Sequence, residues 1–105
     1  MKGQDAFYTS PQTSVITTEV PVTLLYTGWS GNDGNEYVIE DDAIDPDKEI
    51  ILTYATTIQD GQFEALQKAN IRPFDQVTAR TLKIKALGTV PTISIPILLI
   101  IKETV

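Results

Sequence analysis

Pro91-Thr92-Ile93-Ser94-Ile95-Pro96-Ile97-Leu98-Leu99-Ile100-Ile101-Lys102 is the stretch that decides the fold. It opens with alternation: Ile93, Ile95 and Ile97 fall on one face of an extended chain, and Thr92, Ser94 and Pro96 on the other. From Ile97 onward the polar positions vanish, and Leu98 and Ile100 load the second face as well. A strand that is apolar on one face needs one cover, and a strand apolar on both needs two. Fully burying such a side chain stabilises by about 1.5–3 kcal/mol, so Leu98 and Ile100 left in water would forgo that gain and invite aggregation. A chain of 105 residues builds one sandwich with one interior. The stretch therefore predicts a mainly β fold, a small antiparallel β-sandwich of immunoglobulin-like or jelly-roll-like type, whose second cover comes from another copy or another protein. Ile97, Leu98, Leu99, Ile100 and Ile101 are the candidate oligomer interface.

Immediately upstream, Gln76 to Ala86 reads as a strand. Leu82, Ile84 and Ala86 share one face, while Thr81, Lys83 and Lys85 share the other. Val77 and Ala79 fall on the opposite parity, which predicts a bulge or bend near Arg80. Leu87-Gly88-Thr89-Val90-Pro91 then turns the chain, and the last two strands are expected to form a hairpin with its outer face kept wet by Lys83 and Lys85. Ile71-Arg72-Pro73-Phe74-Asp75 reads as a connector. Before it the period changes: Asp60 to Asn70 holds helix formers with Phe63, Leu66 and Ala69 near one stripe. This is the one helix expected, with Thr57 or Asp60 as N-cap and Asn70 as its stop. Ile50 to Thr57 is a strand, with Ile50, Leu52 and Tyr54 against Ile51, Thr53 and Ala55, and it too starts apolar on both faces.

The first half carries the turns. Residues 1–14 are polar and read as a loose arm, with Phe7 and Tyr8 as candidate docking anchors; the sandwich domain spans 15–105. Val15 to Thr27 holds the first strand or two, with Val20, Val22, Leu24 and Tyr26 on one face and Pro21 marking a sheet edge. Gly28 to Asn35 is a turn cluster in which Asp33-Gly34 is a hairpin signal. Trp29, the sole tryptophan, reads as a core plug, with a sugar-stacking platform as the sharper alternative. Glu36 to Glu40 is a short strand with Tyr37 and Ile39 on one face, so Trp29 and Tyr37 are the candidate turn and core anchors. Glu40 to Glu49 is acidic and reads as a solvated loop. Calcium is the alternative, although the residue order of a calcium-binding loop is missing.

Composition narrows the function. The chain has no cysteine and no histidine, which removes disulfides, most zinc sites, the Ser-His and Cys-His nucleophile pairs and the usual general base. Net charge is −6 and the sequence pI is about 4.4. The basic footprint of a nucleic-acid binder is missing, as is that of a peripheral membrane protein. The start has no apolar h-region, so no signal peptide is read. The run Ile97 to Ile101 is too short to span a bilayer. No Gly-rich loop opens a helix as a phosphate cradle. The expectation is a non-enzymatic protein with no cofactor, no nucleic acid and no membrane partner, kept in the cytoplasm or assembled there into something larger.

One ordered pattern stands out. A strand ends at Gly28-Trp29-Ser30-Gly31, a Tyr37-Val38-Ile39 strand follows, and an acidic turn leads to Ile50-Ile51-Leu52-Thr53-Tyr54. A helix from Gln62 to Asn70 precedes Thr81-Leu82-Lys83-Ile84-Lys85-Ala86, and Val90-Pro91-Thr92-Ile93-Ser94-Ile95-Pro96-Ile97 leads into the closing strand. From Val20 to Glu103 this resembles a family of small β-domains in tailed phages, found as short virion proteins and as head-fibre and tail-fibre modules. The acidic stretch Glu40 to Glu49 departs from that pattern. The resemblance implies a virion structural protein, a head-fibre or capsid-decoration protein assembled in the host cytoplasm. It also implies a homotrimer docked on a capsid or tail protein, and it transfers no catalytic residue. A glycan- or receptor-binding module of a tail fibre, using Trp29, Tyr26 or Tyr37, is the competing reading.

Overall fold

Two three-stranded antiparallel sheets pack face to face in the computed structural model, which describes residues 14–104. The candidate docking residues Phe7 and Tyr8 lie outside the described residues. The elements are β1 (Val15–Leu24), β2 (Glu36–Glu40), β3 (Glu49–Tyr54), α1 (Asp60–Ala69), β4 (Ile71–Thr78), β5 (Thr81–Ala86) and β6 (Ile95–Thr104). The first sheet has the order β1-β6-β3 and the second β2-β5-β4. The small β-sandwich with one short helix is therefore the fold.

The closing strand β6 is the centre of the first sheet. Ile95, Ile97, Leu99 and Ile101 are buried, and each alternate residue from Pro96 to Lys102 is half-buried. Facing them from the second sheet are Leu82 and Ile84 of β5 and Tyr37 and Ile39 of β2, all in one core cluster with Val20 and Leu24 of β1. The period of two in each strand places these side chains, because successive residues point to opposite faces.

The helix covers one end. Gln59 is its N-cap residue, in place of the expected Thr57 or Asp60, and its backbone N–H donates to the Gln62 side chain at 2.9 Å. Asn70 stops the helix in the left-handed region at φ 48°, which asparagine tolerates better than most residues. Gln62 donates to the Ser94 carbonyl at 3.1 Å, joining the helix to the approach of β6. Phe63 meets the ring of Tyr54 edge-on at 5.2 Å.

Three expectations are corrected. The last two strands do not form a hairpin: β5 pairs with β2 and β4, while β6 pairs with β1 and β3 in the other sheet. The reason lies at the helix C-terminus, whose last carbonyls need donors. Leu87, Gly88 and Thr89 donate their N–H groups to the carbonyls of Asn70, Ala69 and Lys68 at 3.1, 2.8 and 2.9 Å. Gly88 runs so close to the Lys68 carbonyl that a Cβ would collide with it. The chain is thus drawn across the helix end and delivered to the opposite sheet.

Gln76 to Ala86 is also not one bent strand. The parity change near Arg80 marks a tight hairpin between β4 and β5, with Thr78 opposite Thr81 and Arg80 at φ 66°. The connector Ile71 to Asp75 belongs to β4, with a register shift between Arg72 and Gln76.

Thirdly, Asp33-Gly34 does not join two strands of one sheet, because β1 and β2 lie in different sheets. The turn closes only on a single bridge between Ser30 and Glu36, with Gly31 and Gly34 at positive φ.

Candidate assembly surface

The outward-facing residues of the first sheet follow from its register. Ile100 lies between Glu19 of β1 and Ile51 of β3, and Leu98 lies between Pro21 and Thr53. Lys102 lies between Thr17 and Glu49. The two strands whose sequences are apolar on both faces are neighbours, so their second faces merge. Ile51 is exposed and Leu98 and Ile100 are half-buried. The result is a centre of Pro21, Ile51, Leu98 and Ile100 with Glu19, Glu49 and Lys102 at its margin, the arrangement of an apolar core within a polar rim.

Of the five candidate interface residues, Ile97, Leu99 and Ile101 are spent on the chain's own interior, at 0%, 0% and 2% exposure. They point inward by the same alternation that turns Leu98 and Ile100 outward. Only the latter two remain at the surface. Pro21 and Ile51 join them, and both were legible as residues but not as neighbours, since strand order is a long-range property.

The second sheet shows the contrast. Its outer face carries Glu36 opposite Lys85, Lys83 opposite Val38, and Arg72 and Gln76 on β4. Lys83 Nζ lies 3.7 Å from Glu36 Oε1. Val38 is the exposed apolar side chain in this charged row. One sheet is charged along its outer face, as the lysines indicated, and the other sets an apolar cluster among charged and threonine positions.

The turn cluster ties the two sheets together. The Tyr37 hydroxyl accepts from Leu25 N–H at 2.9 Å and donates to the Thr23 carbonyl at 3.3 Å. Trp29 meets Tyr37 edge-on, with ring centroids 5.3 Å apart, and packs against the core. Its Nε1 is buried with no hydrogen-bond partner among the described residues. Tyr37 is buried and Trp29 is half-buried against the core. Tyr26 is exposed.

The acidic loop is more structural than its composition indicates. Asp41 and Asp45 accept from the backbone N–H groups of Ala43 and Asp47 at 2.9 and 2.8 Å, as aspartates do in tight turns. Ile44 is buried at 1% exposure, a core residue hidden from composition by the acids around it. The Ala43-Ile44 pair within the run was its signal. Lys48 pairs with Glu103 at 3.7 Å. Among the described residues no group of three or more carboxylates gathers as a metal site, and no helix is long and apolar enough to cross a membrane.

No known protein family, no curated protein and no solved structure matches this chain.

Proposed function

We propose that this chain is a structural component of a tailed-phage particle, a head-fibre or capsid-decoration β-domain that self-associates and docks on a capsid or tail protein. The observation that carries the assembly part is the asymmetry between the two outer faces: Pro21, Ile51, Leu98 and Ile100 on one, Glu36, Lys83, Lys85 and Arg72 on the other. Apolar side chains set side by side on a small domain mark an interaction surface, because scattered ones need no partner and clustered ones do. Closed symmetry covers such a face without leaving a growing end. The virion part is supported by the order of turn, strand and helix motifs from Val20 to Glu103, which resembles the phage β-domains.

Light scattering over a dilution and salt series tests the assembly part. The expected mass is a multiple of 11.6 kDa that persists at high salt, since apolar contact is not screened. Leu98→Lys and Ile100→Lys are expected to weaken association while leaving the circular dichroism unchanged, as each side chain already faces outward. A wild-type monomer at every concentration overturns the reading. Gold-labelled antibody against the chain tests the virion part, with label on intact capsids or tails as the expected result and bare particles as the contrary one.

A further inference from the structure

We infer that β3 pairs edge to edge with β3 of a second copy, antiparallel, to make one six-stranded sheet across two chains. The inference rests on the reading that the chain self-associates, and it adds an edge contact beside the apolar face.

Among the described residues the sandwich has four edge strands, β1, β3, β2 and β4. Exposed edges are templates for pairing, and proteins blunt them with proline, bulges, charge or shortness. β1 carries Pro21. β2 is five residues long and has a glutamate at each end. β4 carries a register shift between Arg72 and Gln76. β3 is Glu49-Ile50-Ile51-Leu52-Thr53-Tyr54, with no proline and an unbroken register against β6. Its one charge, Glu49, stands at its first position, so Ile50 to Tyr54 run along the edge with no proline, no bulge and no charge.

The direction of its free hydrogen-bonding groups follows from the ladder. Ala55 N–H donates to the Pro96 carbonyl at 3.2 Å, toward β6. In an antiparallel strand the N–H and C=O of one residue point the same way, and successive residues alternate. Glu49, Ile51 and Thr53 therefore face β6, and Ile50, Leu52 and Tyr54 offer both groups outward. Among the described residues no strand pairs on that side. Beside it Ile50, Ile51, Leu52, Ile71, Arg72 and Phe74 line an open cleft where the edges of the two sheets meet.

A second copy of β3 fits this edge. Antiparallel pairing centred on Ile51 or on Leu52 brings outward-facing residues against outward-facing residues, as a ladder requires. Glu49 is the strand's one charge. The first register sets it opposite the partner's Thr53, and the second opposite the partner's Ala55, so no carboxylate meets another. The pairing also sets the Ile51 side chains of both copies on one continuous outer face, which joins the two apolar surfaces into a larger one. An isologous pair gives two copies rather than the three that the resemblance implies.

Residue-resolved amide exchange on the full chain, at concentrations below and above association, tests this directly. The amides of Ile50, Leu52 and Tyr54 are expected to exchange about tenfold or more slowly in the associated protein than in the dilute one, because new ladder bonds must open first. Those of Glu49, Ile51 and Thr53 should be protected in both. Ile51→Lys, which sets like charges together across the contact, is expected to leave the fold intact and hold Ile50, Leu52 and Tyr54 at the fast rate. Association with these three amides still fast would overturn the edge contact and leave the proposed assembly role standing. Protection that ignores concentration would overturn the second copy in favour of another segment of the same chain. A monomer throughout would overturn both.

Discussion

The hydroxyl of Tyr37 accepts a hydrogen bond from the backbone N–H of Leu25 at 2.9 Å, and so ties β2 of one sheet to the end of β1 in the other. Its ring lies where a Cβ on Gly28 would come within 2.5 Å, so the turn and the tie depend on each other. Tyr37→Phe keeps the ring and leaves the Leu25 N–H without its partner. The bond is only part-buried, so its loss costs about 0.5–1.5 kcal/mol, and urea unfolding should show a correspondingly lower midpoint at unchanged slope.

Trp29 carries the opposite imbalance. Its Nε1 has no partner among the described residues. Trp29→Phe preserves an aromatic contact with Tyr37 and removes an unmet donor worth about 1–3 kcal/mol, which offsets the lost area. The expected result is a stability equal to or above that of the parent. Trp29→Ala, by contrast, is expected to cost about 3 kcal/mol through the cavity it opens. A large loss in the phenylalanine variant would mean that the indole N–H is satisfied.

Ile44 separates structure from solvation within the acidic loop. Its side chain is 1% exposed, so Ile44→Ala is expected to cost about 2–5 kcal/mol. Asp42→Ala, two positions away and exposed, should change stability by no more than about 0.5 kcal/mol. Equilibrium denaturation of the two variants side by side checks both values. Equal effects would contradict a loop anchored by one apolar residue.

Arg80 sits at φ 66°, where a Cβ is strained. Its N–H donates to the Ile44 carbonyl at 2.7 Å and its carbonyl accepts from Asp41 N–H at 3.1 Å, so the backbone alone holds this turn to the acidic loop. Arg80→Gly keeps both bonds and relieves the strain. Thermal unfolding should show a stabilisation of about 1 kcal/mol; a destabilised variant would show that the arginine side chain contributes contacts of its own.

What the sequence by itself determined is local. Alternation in Leu82, Ile84 and Ala86, in Tyr37 and Ile39, and in Val20 and Leu24 named side chains that are buried in the structure. The helix stripe and its stop at Asn70 were equally legible, because a period and a cap involve only near neighbours along the chain. The second apolar faces of β3 and β6 could be read separately. Even local reading had a limit at Ile93, which shares the parity of Ile95 yet is 41% exposed, since the strand begins at Ile95.

Only the tertiary structure decided which strands are neighbours. Alternation says which face is buried and is silent on what lies beside it, so the expected hairpin of the last two strands and their actual separation into two sheets have the same pattern. The choice was made by the three N–H groups of Leu87, Gly88 and Thr89, drawn to carbonyls at the end of a helix about 20 residues earlier in the chain. That crossover sets β6 between β1 and β3, brings Ile51 beside Ile100, and leaves β3 at an unblunted edge.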